Sequence, residues 1–333
     1  MDDVTRDRAA GALLAMAAGD ALGAGYEFGA AFGDDVPVLM KGGGIFDWAP
    51  GEWTDDTSMA VPILEAAETS AAEGGALTDH LDDVAQAWHA WSLTADDVGA
   101  QTRAVLGAAA RRGAVTRAAL LTASYDHLAT TGRAGGNGSL MRTAPVALAH
   151  LGDPEGIAAA ARLVSDLTHA ETDAGDACVL WCLAIDHAVA TGALDVAVGL
   201  AALPVERQDV WAQRIEEAQA HPCTHFDRNG WVVHAFQAAW SAIHATRSHD
   251  EPLRSALEMC VRAGGDTDTV ACIAGQLVGA AYGASCVPGE WVQVLHGWPG
   301  LTGLELAARG TAVAEASWLR WHEQGGVSDW LRG

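Results

Sequence analysis

Two short segments of this chain place aspartates and threonines at the start of apolar, helical stretches. Residues 51–68 read GEWTDDTSMAVPILEAAE, and residues 262–283 read RAGGDTDTVACIAGQLVGAAYG. Carboxylates at such positions lose hydration, and an unpaired buried charge is costly. If the two segments meet in space, they supply only hard oxygen ligands, which suit Mg²⁺, Mn²⁺ or Ca²⁺ and not zinc. Four carboxylates can hold two divalent ions, and such a site binds a diol and activates water.

Helix capping is the alternative interpretation of these segments. Threonine and aspartate are favoured N-cap residues, and acidic residues in a first turn complement the helix dipole. The same pattern occurs twice, flanked by glycine each time, and four carboxylates exceed what capping requires. The repetition therefore favours the metal site.

Three further segments carry side chains or backbone groups suited to chemistry. Glu27 follows a glycine-rich turn between two aromatic residues, and an enclosed glutamate has a raised pKa and can act as an acid or a base. Residues 132–138, GRAGGNG, leave backbone N–H groups free for an anion, and Ser139 adds a hydroxyl. His169, at a helix junction beside Thr168, can stack on a base or bind a phosphate, although a lone histidine is more often structural.

Helices must position these groups, because most of the chain has helical periodicity and no alternation of strands and helices occurs. We predict one all-α domain over residues 1–333, with no internal repeat. Two segments lack the period, the glycine loop at 132–138 and the long segment 28–53, which can gate the site. Pro62 is expected to kink its helix or to mark a restart. Helices are predicted near 51–68, 77–93, 97–113, 116–131, 154–168, 170–190, 207–219, 229–247, 250–263, 269–284 and 301–323, besides a first helix near the N-terminus.

Composition excludes several classes of protein. The net charge is −24, Lys41 is the only lysine, and no basic stripe marks a nucleic-acid surface. Six cysteines lie mostly in apolar stretches and are expected to be buried thiols, since no zinc-ligand spacing accompanies Cys178 and Cys182. No apolar run comes near the ~20 residues that span a bilayer. The acidic start of the chain argues against a targeting segment, so we expect a cytoplasmic protein without nucleic-acid or membrane partners.

Six segments taken together resemble the ADP-ribosylglycohydrolase family, which includes the dinitrogenase reductase-activating glycohydrolases. They are GDALGAGYEF, WTDDTSM, DDVGAQT, GGNGSLMRTAP, THAETDA and GGDTDTVACIAGQLVGAAYG. They follow the family's motif order and cover nearly the whole chain. The TDDT and GGDTDT pair is the specific part of the match; the glycine loop and the TH pair alone are not specific.

The resemblance implies an all-α fold and a site with two divalent cations, Mg²⁺ or Mn²⁺. It places proton transfer at Glu27 or at a metal-bound aspartate such as Asp268, and these alternatives stay open. It places Asp97 and Gly99 in DDVGAQT on the substrate, where a carboxylate accepts a bidentate hydrogen bond from a guanidinium; the alternative for Asp97 is an N-cap of a helix starting at Val98. By motif position the metal ligands are Thr54, Asp55, Asp56, Asp266, Asp268 and Thr269, and the remaining substrate-binding residues are Gly135, Asn137, Gly138, Ser139, Met141 and His169.

The reaction that the resemblance implies is hydrolysis at the anomeric carbon of the distal ribose in protein-linked ADP-ribose. ADP-ribosyl-arginine is the favoured substrate; serine-linked ADP-ribose and O-acetyl-ADP-ribose are the alternatives. Three other functions stay open: a non-catalytic binding or structural protein, a dinuclear phosphohydrolase that releases AMP, and a helical scaffold without metal. We expect a monomer whose partner is the ADP-ribosylated protein.

Overall fold

The structure, a computed structural model, describes residues 1–326. The last seven residues of the predicted domain, 327–333, lie outside the described part. The chain is 68% helical with 3% strand, so the prediction of an all-α fold is confirmed. The α-helices are α1 (Asp3–Gly23), α2 (Asp55–Glu73), α3 (Leu81–Ser92), α4 (Ala100–Arg111), α5 (Arg117–Thr131), α6 (Ala144–Ala149), α7 (Pro154–Asp166), α8 (Thr172–Thr191), α9 (Val205–Ala220), α10 (Val232–Thr246), α11 (Pro252–Arg262), α12 (Thr267–Tyr282), α13 (Gly289–Val292) and α14 (Gly303–Glu323).

Short 3₁₀ turns and one small hairpin complete the described part of the chain. The turns are Ala24–Tyr26, Leu77–His80, Asn137–Ser139, Ala197–Ala202, Cys223–His225 and Ala284–Cys286. Strands β1 (His296–Gly297) and β2 (Leu301–Thr302) pair antiparallel, with His296 opposite Thr302 and Gly297 opposite Leu301. These elements connect helices whose apolar faces form one continuous buried cluster from α1 to α14.

Helices α1 and α12 lie against each other almost backbone to backbone. A Cβ at Gly275 would overlap the carbonyl oxygen of Ala15, and a Cβ at Gly19 would overlap that of Ala271. Glycine is therefore required where the helices cross, since no side chain fits between the two backbones. This close approach brings the end of α1 beside the start of α12.

Several sequence predictions about elements need correction. Helix α2 is continuous through Pro62, so no helix restarts there; Pro62 is buried, and tertiary packing holds the helix on both sides of it. Helix α4 starts at Ala100 with Gly99 as its N-cap, so the alternative that Asp97 caps this helix is wrong. Cys286 is exposed, whereas the other five cysteines are buried as expected.

Helix α8 also departs from the expectation that no segment comes near a membrane span. By length and composition it is able to cross a bilayer, but 83% of the apolar window is buried inside the protein. A core helix meets the same criteria, because its surroundings are apolar.

The long segment 28–53 is anchored at several points. Phe28 N donates to Gly265 O at 2.7 Å, and Gly265 N donates back to Gly29 O at 3.0 Å, next to the GGDTDT motif. Further along, Trp53 N donates to His296 O at 3.0 Å and fastens the segment to the hairpin. The segment is thus tied to the elements that carry the acidic residues.

Candidate functional site

The two acidic segments meet at the N-termini of α2 and α12. Thr269 Oγ1 donates to Asp56 Oδ1 at 3.1 Å, across a sequence separation of 213 residues. Thr54 Oγ1 also donates to Asp56, at Oδ2, over 3.3 Å. Asp56 is fully buried and therefore lies at the junction of the two motifs.

Capping does not account for these side chains. Thr54 is the N-cap of α2 and Asp266 is the N-cap of α12, yet neither side chain makes a capping hydrogen bond. Asp266 Oδ2 instead accepts from Asn137 Nδ2 at 2.7 Å. The carboxylates thus face one another and the glycine loop, in place of the free N–H groups of their own helices.

The acidic cavity, as we name it, is a cleft of about 370 Å³ above this junction. Its walls come from the segment after the 3₁₀ turn Ala24–Tyr26, the starts of α2, α4 and α12, the glycine loop and the α7–α8 connection. Since these segments are far apart in sequence, the fold alone assembles the cleft. Of the residues expected in a site, those lining it are Glu27, Asp55, Asp97, Gly99, Asn137, Gly138, Met141, His169, Asp266, Asp268 and Thr269.

Four other expected residues do not line the acidic cavity. Thr54 lies on a neighbouring cavity of about 120 Å³, and Gly135 on another of about 430 Å³. Asp56 is buried beneath the cavity floor. Ser139 is turned away, because its Oγ accepts from Ser165 Oγ at 2.9 Å, so its side-chain oxygen serves packing behind the glycine loop.

The donor set fits divalent cations. Carboxylate oxygens of Glu27, Asp266 and Asp268 lie within 4.8 Å of one another. Glu27 Oε2 and Asp268 Oδ1 are buried and have no hydrogen-bond partner among residues 1–326. Buried carboxylate oxygens need compensation, and hard cations prefer oxygen ligands at this density. A cation between these oxygens would satisfy both.

A second group within the same distance limit contains Asp20, Asp56 and Cys272. Its sulfur is not a thiolate in this setting, because burial and the nearby carboxylates of Asp56 and Asp20 raise the pKa of Cys272 well above its usual value. Cys272 Sγ also donates to Met141 O at 3.3 Å. The hard-ligand character of the site is thus preserved.

The carboxylates of the site raise one another's pKa. Burial, followed by repulsion from Asp266 and Asp97, raises the pKa of Glu27 to about 8. Burial and repulsion from Asp56 and Asp266 hold the pKa of Asp268 well above its usual range. Such repulsion is relieved by a proton or by a cation, so the structure concentrates negative charge at this one place.

Asp20 is a site residue that the sequence analysis missed. It lies in α1, is fully buried, and accepts from Thr54 N at 2.9 Å, Thr57 N at 2.9 Å and Thr57 Oγ1 at 2.6 Å. The start of α2 is thus capped by a carboxylate from another helix. An aspartate within an otherwise apolar helix, in AMAAGDALG, is the signal that could have found it.

The glycine loop is fastened to the acidic cluster by two asparagines, of which Asn229 was also missed. Asn137 Nδ2 donates to Asn229 O at 2.9 Å as well as to Asp266. Asn229 Oδ1 accepts from Asp266 N at 3.0 Å, and Asn229 Nδ2 donates to Gly264 O at 2.9 Å. The loop and the start of α12 are therefore positioned as one unit.

A buried chain of hydrogen bonds orients His169. Arg142 Nη2 donates to Thr168 Oγ1 at 2.7 Å, and Thr168 Oγ1 lies 2.7 Å from His169 Nδ1. Thr168 accepts from the guanidinium and keeps its own proton for donation; when that proton goes to Nδ1, the imidazole proton sits on Nε2. Burial and Arg142 lower the pKa of His169 well below its usual value, so the ring is neutral. A Cβ at Gly138 would lie 3.1 Å from Nε2, so this nitrogen faces the glycine loop.

Asp97 lies at the edge of the acidic cavity and faces the 120 Å³ cavity as well. Burial, together with repulsion from Asp20 and Asp266, raises the pKa of Asp97 to about 6. Gly99 N, two residues on, donates to Asp55 Oδ2 at 3.3 Å and ties this loop to the TDDT motif. Asp97 therefore lies beside the acidic cluster, and its carboxylate does not cap α4.

The neighbouring cavity of about 430 Å³ carries two guanidinium groups and one carboxylate. It is lined by Arg133, Arg228 and Glu171, with the indole of Trp231 and the loop glycines, and shares Gly136 with the acidic cavity. The Arg228 guanidinium lies 5.8 Å from the Trp231 ring centroid. Guanidinium groups, free backbone N–H groups and an aromatic face suit phosphates attached to a planar base.

Known proteins resemble this chain over most of its length. The family model of ADP-ribosylglycohydrolase matches residues 1–322. An ADP-ribosylarginine hydrolase, Tri1, of Pseudomonas putida (strain GB-1) is 32% identical over 296 residues, which are 86% of this chain and 74% of that protein. The ADP-ribosyl-[dinitrogen reductase] glycohydrolase of Rhodospirillum rubrum is 30% identical over 301 residues, 87% of this chain and 90% of that protein.

A solved structure agrees with these sequence matches. It is described as an ADP-ribosylglycohydrolase-related protein complex, superposes with a TM-score of 0.68, and is 27% identical in sequence. The alignment covers 94% of this chain and 99% of the other.

Proposed function

This chain belongs to the ADP-ribosylglycohydrolase family, and from that premise we propose how its own residues remove ADP-ribose from a protein arginine. The family consists of enzymes that hydrolyse glycosidic bonds. The observation that carries the proposal is the meeting of Asp56 with Thr269 beneath a cavity that also exposes Glu27, Asp97 and His169.

Two divalent cations, Mg²⁺ or Mn²⁺, are the cofactors in this proposal. The residues that would hold them are Thr54, Asp55, Asp56, Asp266, Asp268 and Thr269. Divalent cations bound there would act as Lewis acids that bind ribose hydroxyls and lower the pKa of a bound water. The orphaned Oδ1 of Asp268 supports this assignment, as does the hard-oxygen donor set.

Hydrolysis adds water across the bond between the anomeric carbon of the ribose and the guanidine nitrogen. The C–N bond breaks, hydroxide joins the carbon, and the departing guanidine takes a proton. Glu27 is placed to move that proton, because it lies on the cavity wall and is only partly buried. Asp268 is fully enclosed beside it and stabilises positive charge that develops on the ribose.

The rest of the substrate lies toward the cationic side. We assign the diphosphate to Arg133, Arg228 and the backbone of the glycine loop, with the adenine against Trp231. His169, with its proton on Nε2, donates to an oxygen of the ribose or the diphosphate. This orientation leaves the anomeric carbon at the acidic cavity and the target protein beyond Asp97.

Two observations favour arginine as the linkage. One similar protein is named as an ADP-ribosylarginine hydrolase, and Asp97 is available to accept hydrogen bonds from a guanidinium. The alternative substrates are serine-linked ADP-ribose and O-acetyl-ADP-ribose, whose leaving oxygen gives Asp97 no such donor pair. A non-catalytic ADP-ribose-binding protein is the second alternative.

The test is incubation of the purified chain with Mg²⁺ or Mn²⁺ and two peptides of equal sequence, ADP-ribosylated on arginine or on serine. We expect the arginine peptide to regain its unmodified mass with release of free ADP-ribose. Release of AMP would indicate a phosphohydrolase instead. Faster cleavage of the serine peptide, or no cleavage of either, would contradict the proposal.

We also propose that the protein acts on its ADP-ribosylated target as a cytoplasmic monomer, without nucleic-acid or membrane partners. The net charge of −24 supports the absence of a nucleic-acid partner, since it opposes contact with phosphate backbones.

A further inference from the structure

The tryptophan pocket, as we name it, is the cavity of about 120 Å³ next to the acidic cavity. The two cavities share Asp55 and Asp97 in their walls, so the pocket lies directly beyond these carboxylates. Trp48 and Trp298 line it and are each partly exposed. The buried indole of Trp53 forms another part of the wall and donates to Trp298 O at 3.2 Å, which ties the hairpin region to the pocket.

The charge of the tryptophan pocket selects for a cation. Besides the proposed metal ligand Asp55, its lining contains the carboxylates of Glu52, Asp96 and Asp97, and none of its described lining residues is Lys, Arg or His. Asp96 is exposed at the rim. The 430 Å³ cavity, which adjoins the acidic cavity at Gly136, is lined by two arginines and one glutamate. The two neighbouring cavities therefore differ in charge, which favours the anionic part of a bound molecule in one and a cationic part in the other.

The aromatic lining favours a planar, weakly hydrated cation. Among aromatic rings, the indole face attracts cations such as the guanidinium most strongly, and partial burial strengthens the contact. The cavity of about 120 Å³ has room for a guanidinium group. The indole N–H of Trp48 is buried without an acceptor among residues 1–326, so a backbone carbonyl of a bound peptide would satisfy it.

We propose that the tryptophan pocket receives the side chain of the target arginine and sets the linkage specificity of the enzyme. Trp48 and Trp298 hold the guanidinium by their faces, and Asp97 accepts its N–H groups. Glu52 and Asp96 at the rim attract basic target segments. The inference rests on the proposed function, since it assigns the target side of the same reaction.

The experiment compares Trp298→Ala with Trp318→Ala, the loss of another partly buried tryptophan, which lies on α14 and does not line the pocket. KM and kcat are measured for the arginine-linked and serine-linked ADP-ribosyl peptides. We expect Trp298→Ala to raise KM for the arginine peptide about tenfold and to leave KM for the serine peptide within about twofold. Trp318→Ala should leave both unchanged.

Calorimetry provides a readout that needs no turnover. N-acetylarginine amide should bind the intact chain, its neutral isostere N-acetylcitrulline amide should not, and Trp298→Ala should weaken arginine binding about tenfold. If Trp298→Ala does not fold, Asp96→Asn replaces it. Because Asp96 is exposed at the rim, its substitution should weaken arginine binding about twofold to fivefold, and this difference should disappear at high salt.

The outcomes separate this inference from the proposed function. Equal binding of the arginine and citrulline compounds, or equal loss on both peptide linkages, would overturn the pocket assignment even if arginine-linked ADP-ribose is cleaved. Selective, tryptophan-dependent arginine binding would support it even if the intact chain releases no ADP-ribose, and in that case the proposed function alone fails.

Discussion

At the residue scale, the direction of one hydroxyl proton decides what His169 offers to a ligand. Arg142 is fully buried, stacks with its guanidinium 3.9 Å from the centroid of the Trp88 ring, and donates to Thr168. Burial lowers the pKa of Arg142 to about 9, which still leaves it charged at neutral pH. When Thr168 in turn donates its proton to Nδ1, the histidine presents Nε2–H to the glycine loop.

Replacing Thr168 should therefore impair the contact of His169 with the substrate and not the fold alone. Thr168→Val removes the hydroxyl that orients His169 and leaves a buried donor of Arg142 unpaired, so we expect kcat/KM to fall by about tenfold or more. Steady-state kinetics measures this. Thr168→Ser keeps the hydroxyl and should restore activity; equal losses in the two variants would show that the hydroxyl has no such role.

Asp97 gives a second prediction at this scale. Asp97→Asn keeps the shape of the side chain but removes the charge that pairs with a guanidinium. Hydrolysis of the arginine-linked peptide should slow about tenfold to hundredfold, and that of the serine-linked peptide far less. The ratio of the two kcat/KM values is the measurement. A ratio unchanged from the intact chain would assign Asp97 a purely structural role.

At the element scale, the crossing of α1 with α12 positions two carboxylates of the site. Glycines at this contact let α1 bring Asp20 to the start of α2, and the turn that follows α1 places Glu27 beside the start of α12. The carboxylate of Asp20 replaces the cap that Thr54 does not provide. The site thus depends on one helix–helix contact and one capping interaction between helices.

Asp20→Ala should weaken both the fold and the metal site. It leaves the buried N–H groups of Thr54 and Thr57 without acceptors, which costs about 1–3 kcal/mol for each group. We expect a lower midpoint of urea unfolding and weaker Mn²⁺ binding by calorimetry. The control is Asp250→Ala on the exposed α10–α11 connection, which should change neither. Metal affinity equal to that of the intact chain in folded Asp20→Ala would contradict the positioning role.

Some residues of the site can be predicted from the sequence and others cannot. In the TDDT and GGDTDT segments the carboxylates are neighbours in the sequence, so the local pattern predicts them. Asp20 and Arg142 act through hydrogen bonds to residues far from them in the sequence, and no local spacing predicts these partners. Ser139 is the opposite case. Its position beside the glycine loop suggested a ligand contact, but in the structure its hydroxyl accepts a hydrogen bond from Ser165. Orientation of a side chain is a tertiary property.

At the scale of the whole molecule, the clustered carboxylates link stability to pH. The pKa of Glu27 rises from 4.5 to about 8 in the folded state, and that of Asp97 from 3.8 to about 6. The folded state therefore binds protons more tightly than the unfolded state does. The stability this provides is fully present below pH 4 and is lost as pH rises through about 6 and 8.

We accordingly expect the metal-free chain to melt at progressively lower temperature as pH increases from 5 to 8.5. Saturating Mn²⁺ should flatten this dependence, because a cation compensates the charges that the protons no longer neutralise. Thermal unfolding followed by circular dichroism across this range tests the point. Glu27→Gln should show a shallower decline than the intact chain without metal; a decline of the same slope would assign the pH dependence to other groups.

The most direct measurement of the central claim is a calorimetric titration of Mn²⁺ into the intact chain and into two single variants, Asp56→Asn and Asp268→Asn. These residues come from the two acidic segments at opposite ends of the sequence. We predict two ions bound per intact chain and severely weakened binding in each variant, with helical content preserved. Binding as tight in either variant as in the intact chain would contradict a cation site built jointly by the two segments.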